Sequence, residues 1–148
     1  MRSIPLRLES YYVDETRTKA LPQYRAPEDL HLFDAVSCTP TVDEHPETPD
    51  RFRVRVEIAV TPTAGALAPY EAFVRIVGFF RVTDAGAPMD AKRQMIHGAA
   101  VSMLYSAARD HLHTVTAKGP NEPLILPPVN IPVPGDRTAQ VWGTAAET

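Results

Sequence analysis

The segment GAAVSMLYSAARDHLHTV, Gly98 to Val115, decides the architecture of this chain. Val101, Leu104, Tyr105, Ala108, Leu112 and Val115 recur at steps of three and four, the apolar stripe of a helix with one buried face. The helix is expected from Ala99 to Lys118, with Gly119 as its C-terminal cap and Pro120 barring continuation. Upstream, Asp84 to Pro88 reads as a turn and Asp90 to His97 as a short lead-in helix with Asp90 as N-cap. Downstream, prolines at 123, 127, 128 and 132 exclude regular helix, so Leu124 to Ile131 is expected as an extended strap.

Before the helix the period is two. Phe52, Val54, Val56, Ile58 and Val60 alternate with Arg51, Arg53, Arg55 and Glu57, which predicts a strand with one wet face from Arg51 to Thr61. The next strand, Ala72 to Val82, is apolar on both faces: Phe73, Val77 and Phe79 on one, Val74, Ile76, Phe80 and Val82 on the other. Its second face is therefore expected to meet another subunit or a bound chain. Gly78 in its middle suggests a bulge or a close backbone approach. Two weaker strands come first. Leu6 to Val13 places Leu6, Leu8 and Tyr12 on one side; Leu30 to Val42 places Leu30, Leu32, Val36 and Cys38 together, with Pro40 marking an edge or an end. Lys19 to Pro27, Asp43 to Asp50 and Pro62 to Pro69 read as loops. The fold class is thus α+β: a four-stranded antiparallel sheet packed with one long helix, a short lead-in helix and a C-terminal extended strap. One domain is expected over residues 1–132, and a flexible tail over 133–148 with Trp142 as its one anchor.

The bulk numbers bound the function. A chain of 148 residues with 44% apolar and 22% charged residues can bury a core without disulfides or metals. A net charge of −3 argues against nucleic acid, which needs a concentrated basic face. The single Cys38 excludes an intrachain disulfide and reads as a small buried apolar residue. No signal peptide and no apolar run long enough to span a bilayer is apparent, so a soluble, cytoplasmic protein without membrane insertion is expected.

Catalytic constellations find no support. His111 and His113 point to different sides of the helix, and His97 lies too far away to complete a metal site. Asp110 and His111 diverge as helical neighbours, with no serine elbow beside them. Gly65, Gly78, Gly86 and Gly98 are isolated, so no phosphate loop exists. Arg109 and Asp110 are expected to anchor loops or the strap. No enzyme activity, metal or cofactor is expected. The alternative from another class is a small enzyme or ligand-binding domain using a crevice near Tyr105, Arg109 and His111.

The Ala108-Arg109-Asp110 step in an aromatic-bearing helix, then Lys118-Gly119, then Leu124-Ile125-Leu126-Pro127-Pro128-Val129-Asn130, resembles the C-terminal core of the SecB family of export chaperones. There an Ala-Arg-Glu helix leads through Arg-Gly to a Leu-x-Leu-x-Pro-Val-Asn-Phe strap. The resemblance spans most of the chain and is best from Phe73 to Ile131. It implies an ATP-independent chaperone that holds unfolded polypeptides, either export preproteins or an antitoxin, and assembles as a homo-dimer or homo-tetramer. Clients are then expected at Phe79, Phe80, Met95, Met103, Tyr105, Leu124 and Leu126. Family members carry sheet carboxylates that receive the tail of the SecA motor. Arg75 and Arg81 stand on the fourth strand here, so weak or absent SecA binding is expected beside client holding.

Overall fold

The computed structural model describes residues 5–21, 35–62, 68–84 and 86–127. Four strands, β1 (Leu6–Ala20), β2 (Val36–Glu44), β3 (Arg51–Val60) and β4 (Tyr70–Val82), form one antiparallel sheet in the order β1-β4-β3-β2. The expected α+β architecture is observed. Leu30 and Leu32, the end of the strap from Pro128, the boundary at 132 and the tail with Trp142 lie outside the described residues.

β3 follows its alternation: Phe52, Val54, Val56, Ile58 and Val60 are all buried, and their partners face outward. On β4 the even residues Val74, Ile76, Phe80 and Val82 line the core. Gly78 is a close approach, since a Cβ there would sit 2.8 Å from both Leu104 Cδ2 and the Phe80 ring. β2 is an edge strand, where Pro40, lacking an N–H, costs no ladder bond to a second neighbour.

β1 departs from its expected form in two ways. It runs to Ala20, so Lys19 and Ala20 belong to the strand and not to the following loop. Its register against β4 also slips between Leu8 and Ser10 and between Val13 and Glu15, making Glu9 and Asp14 bulge residues. Each bulge inverts the faces. Leu6 and Leu8 sit on the core side, but after Glu9 that side passes to Tyr11 and Val13, and Tyr12 turns outward opposite Val77.

The two expected helices are one continuous helical run. α1 (Met89–Met95) passes through a π-helical turn (Ile96–Ala100) into α2 (Val101–Thr116), and the junction residues Ile96 and Val101 keep right-handed helical angles. The wider turn takes up one residue, so Ile96 and His97 stay buried in line with Ala100, Val101 and Leu104. The N-cap is Pro88, not Asp90; Asp90 stands in the first turn, beside the helix's positive end. α2 ends at Thr116, two residues short of the expected Lys118, and Val115 is only half-buried while Thr116 is buried.

Burial holds the His97 imidazole below the ordinary histidine value of 6.5. Around 6.5 the folded protein binds fewer protons at this ring than the unfolded chain does. Stability therefore rises with pH through that range and falls as pH drops below it. The unfolding midpoint should be lower at about pH 5.5 than at about pH 7.5, and His97→Gln should shrink that difference. An unchanged pH dependence in the variant would assign the effect to other groups.

Candidate functional site

α2 lies over β4 and β3, and its two flanks differ. On the β2 flank the strap runs back antiparallel to the helix. The Leu124 N–H donates to Thr116 Oγ1 at 2.8 Å, and the Tyr105 hydroxyl donates to the Pro127 carbonyl one strap-length on. Leu124 and Leu126 are fully buried and Ile125 between them is 57% exposed, an extended segment with one face docked. Burial and the nearby Cys38 push the Tyr105 hydroxyl up to about 12, and burial pushes the Cys38 thiol up to about 11. Cys38 is thus an inert thiol at neutral pH.

On the other flank His111 Nε2 lies 2.9 Å from Thr16 Oγ1 on β1. Met103, Ala107 and His111 recur at four-residue steps, so all three border β1. Tyr11 pairs with Gly78, which packs against Leu104, so Tyr11 stands opposite the Met103 end of this flank. Tyr11 is 50% and Met103 40% exposed. Beyond them β1 has no strand neighbour among the described residues. This flank between α2 and β1, which exposes Tyr11 and Met103 beside a sheet edge, is the candidate client groove.

The expected site residues separate accordingly. Met103 is on the groove wall and Met95 is half-buried. Phe79 is half-exposed on the opposite face of the sheet, its ring 6.3 Å from that of Tyr12. Phe80, Leu124 and Leu126 are core residues with no exposed surface, and Tyr105 keeps only 6%. Strand parity puts Phe80 inward, and the period-two strap does the same for Leu124 and Leu126. Tyr11 went unrecognised because the Glu9 bulge, which nothing in the local pattern announces, moves it to the helix side. Tyr105 and His111 do not converge on one crevice: Tyr105 turns to the strap, His111 turns to β1, and Arg109 is exposed. Arg109 and Asp110 make no ion pair among the described residues, and much of the loops and strap they are expected to anchor lies outside those residues.

The outer face of the sheet carries a layer of arginines. Arg17 and Arg75 lie over the Phe73 ring at 4.5 and 5.5 Å, and Val77 is 5% exposed. The second apolar face of β4 is therefore largely covered within the chain by long side chains lying flat. Arg75 is held by Glu57, Asp14 and Glu15, and Arg53 by Asp43. Both bulges contribute a carboxylate here: Asp14 to Arg75, Glu9 to Arg51 and Arg81. A cleft of about 480 Å³ opens at one end, lined by Glu9, Asp43, His45, Arg51, Arg53 and Phe79 among others. Among the described residues no three His, Cys, Asp or Glu side chains could hold a metal ion, and no helix is long and apolar enough to cross a membrane.

No family model matches the chain, and no curated protein matches it in sequence. The structure does find a likeness. The Mycobacterium tuberculosis SecB-like chaperone Rv1957, solved in complex with a ChAD peptide from the HigA1 antitoxin Rv1956, superposes with a TM-score of 0.57 at 17% identity. The match covers 87% of this chain and 94% of that one. The fold is SecB-like. At this identity the likeness speaks for the SecB-like fold alone, whose sheet, helix and element order are those described above.

Proposed function

We propose that this SecB-like chain is an ATP-independent chaperone that holds non-native polypeptides. The observation that carries this reading is the flank between α2 and β1, where two large apolar side chains, Tyr11 and Met103, stay half in water beside a strand edge unpaired among the described residues. A flexible methionine and an amphipathic tyrosine suit clients of varied sequence. The open edge can accept an added strand through its backbone groups, which makes binding sequence-tolerant. The SecB-like fold, known in a chaperone bound to an antitoxin peptide, supports the same reading. An antitoxin, or an export preprotein as in the SecB family, is the expected class of client.

Within this reading Met103 and Tyr11 carry client contact, with Met95 and the exposed Ile125 as flanking apolar surface. Phe79 belongs to the outer face. The protein acts in the cytoplasm, without membrane insertion or nucleotide. The carboxylates on the outer face are engaged by the arginines of β3 and β4, so SecA binding should be weak or absent.

The test is dilution of a chemically unfolded model client into buffer containing an equimolar amount of the protein. Client light scattering should stay low; scattering equal to that of the client alone would reject the reading. Self-association belongs to the same proposal, because two open edges and an uncovered groove leave apolar surface on each copy. Multi-angle light scattering should give a dimer or tetramer, and a stable monomer at micromolar concentration would remove this part.

A further inference from the structure

Three arginines stand in one cross-strand row on the outer face: Arg7 of β1 pairs with Arg81 of β4, and Arg81 pairs with Arg51 of β3. Like charges directly opposite on one sheet face destabilise it. Among the described residues one carboxylate meets this row. Glu9 meets Arg51 with both carboxylate oxygens, accepting from Nη2 at 3.3 Å and lying 3.3 Å from Nε, whereas Arg81 Nε is 3.6 Å away, beyond hydrogen-bonding range. Among the described residues the buried Arg81 Nε has no hydrogen-bond acceptor and Arg7 makes no ion pair. Three guanidinium groups therefore share one acid among the described residues. The cleft of about 480 Å³ begins at Arg51 and is floored in part by Phe79.

We propose that this row and cleft form a docking site for an acidic polypeptide segment, separate from the client groove on the other side of the sheet. A carboxylate of the partner supplies the acceptor that Arg81 Nε lacks and offsets the excess positive charge of the row, and the cleft takes an apolar or aromatic side chain against Phe79. Phe79 and Arg81 are two residues apart on one face of β4. Side chains two apart in an extended peptide share a face at about 7 Å, so an apolar residue two positions from an acid matches both features. The cleft walls also carry Glu9, Asp43 and Glu44. Those carboxylates repel a polyanion but leave room for one acid beside an apolar group, which favours a peptide over nucleic acid.

The test uses the full chain with a dansyl-labelled GSFSESG peptide and its glutamine twin GSFSQSG. The acidic peptide should bind about tenfold more tightly than the twin, the scale of one charge-assisted hydrogen-bonded contact, and the preference should shrink as salt rises. Arg51→Gln and Arg81→Gln should each abolish the preference. Arg7→Gln, at an exposed position where the fold is not at risk, should weaken it, and Lys118→Gln should leave it intact. Equal binding of the two peptides would overturn the proposal, as would a preference that survives all three arginine substitutions. Displacement of the peptide by equimolar inorganic phosphate would also overturn it, by showing a site that reads a bare anion. The client groove plays no part in this readout, so failure here leaves the holding activity to be judged on its own test.

Discussion

Gly119→Ala should destabilise the fold by about 2–4 kcal/mol, the sum of an overpacked contact and a lost buried hydrogen bond. A Cβ at this position would lie 2.0 Å from the Tyr70 hydroxyl and 2.8 Å from its ring carbon Cζ. Tyr70 is 3% exposed and cannot swing aside. Its hydroxyl donates to the Thr116 carbonyl at 3.1 Å and accepts the Asn121 N–H at 3.2 Å, tying the helix end to the start of the strap. Asn121 in turn donates through Nδ2 to the Leu21 and Pro69 carbonyls at 3.1 and 2.7 Å, so one tyrosine closes a knot between β1, β4, α2 and the strap. Tyr70→Phe alone should cost about 1–3 kcal/mol by leaving buried partners unsatisfied. In that background Gly119→Ala should cost distinctly less, because the nearest clashing atom is gone. Denaturant unfolding of the two single variants and the double variant measures this coupling. Equal costs in both backgrounds would mean that Tyr70 is not what requires glycine at 119.

The second large effect concerns function. Tyr11→Asp and Met103→Asp should each raise the protein concentration needed to hold an unfolded client about five- to tenfold, since a charge facing an apolar client is desolvated without a partner. Both side chains are half in water, so the unfolding midpoint should hardly move. Phe80→Asp and Leu126→Asp are the contrast: with no exposed surface, they should unfold the protein. Holding that is unchanged in both Tyr11→Asp and Met103→Asp would move client contact elsewhere.

These predictions separate what the sequence discloses from what it hides. β3 was legible because one wet face and one dry face leave an unbroken period of two. The stripe of α2 was legible for the same reason at a period of 3.6. β1 was not, because Glu9 and Asp14 invert its faces twice within a few residues and local alternation averages away. Thr116 escaped as a polar residue, although its hydroxyl serves both Leu112 and Leu124. The pairing of Tyr70 with Gly119 joins positions far apart in sequence and has no local signature. The sequence assigns Phe73 and Val77 to another subunit or a bound chain because apolar residues register in a pattern while the arginine stems that lie across this face do not.

The groove residues show the same division. Met103 could be placed on the helix surface from its offset to the buried stripe. Its counterpart Tyr11 required the register of β1, and the arginine row Arg7–Arg81–Arg51 required the pairing of three strands.

The central claim is that non-native chains bind in the groove between α2 and β1. Placing a photoreactive side chain at position 103, and separately at the exposed outer-face position 71, tests it most directly. With an unfolded client the account predicts a covalent adduct from position 103, none from position 71, and none from either when the client is native. A client kept soluble without an adduct at 103, or with equal adducts at both positions, would contradict it.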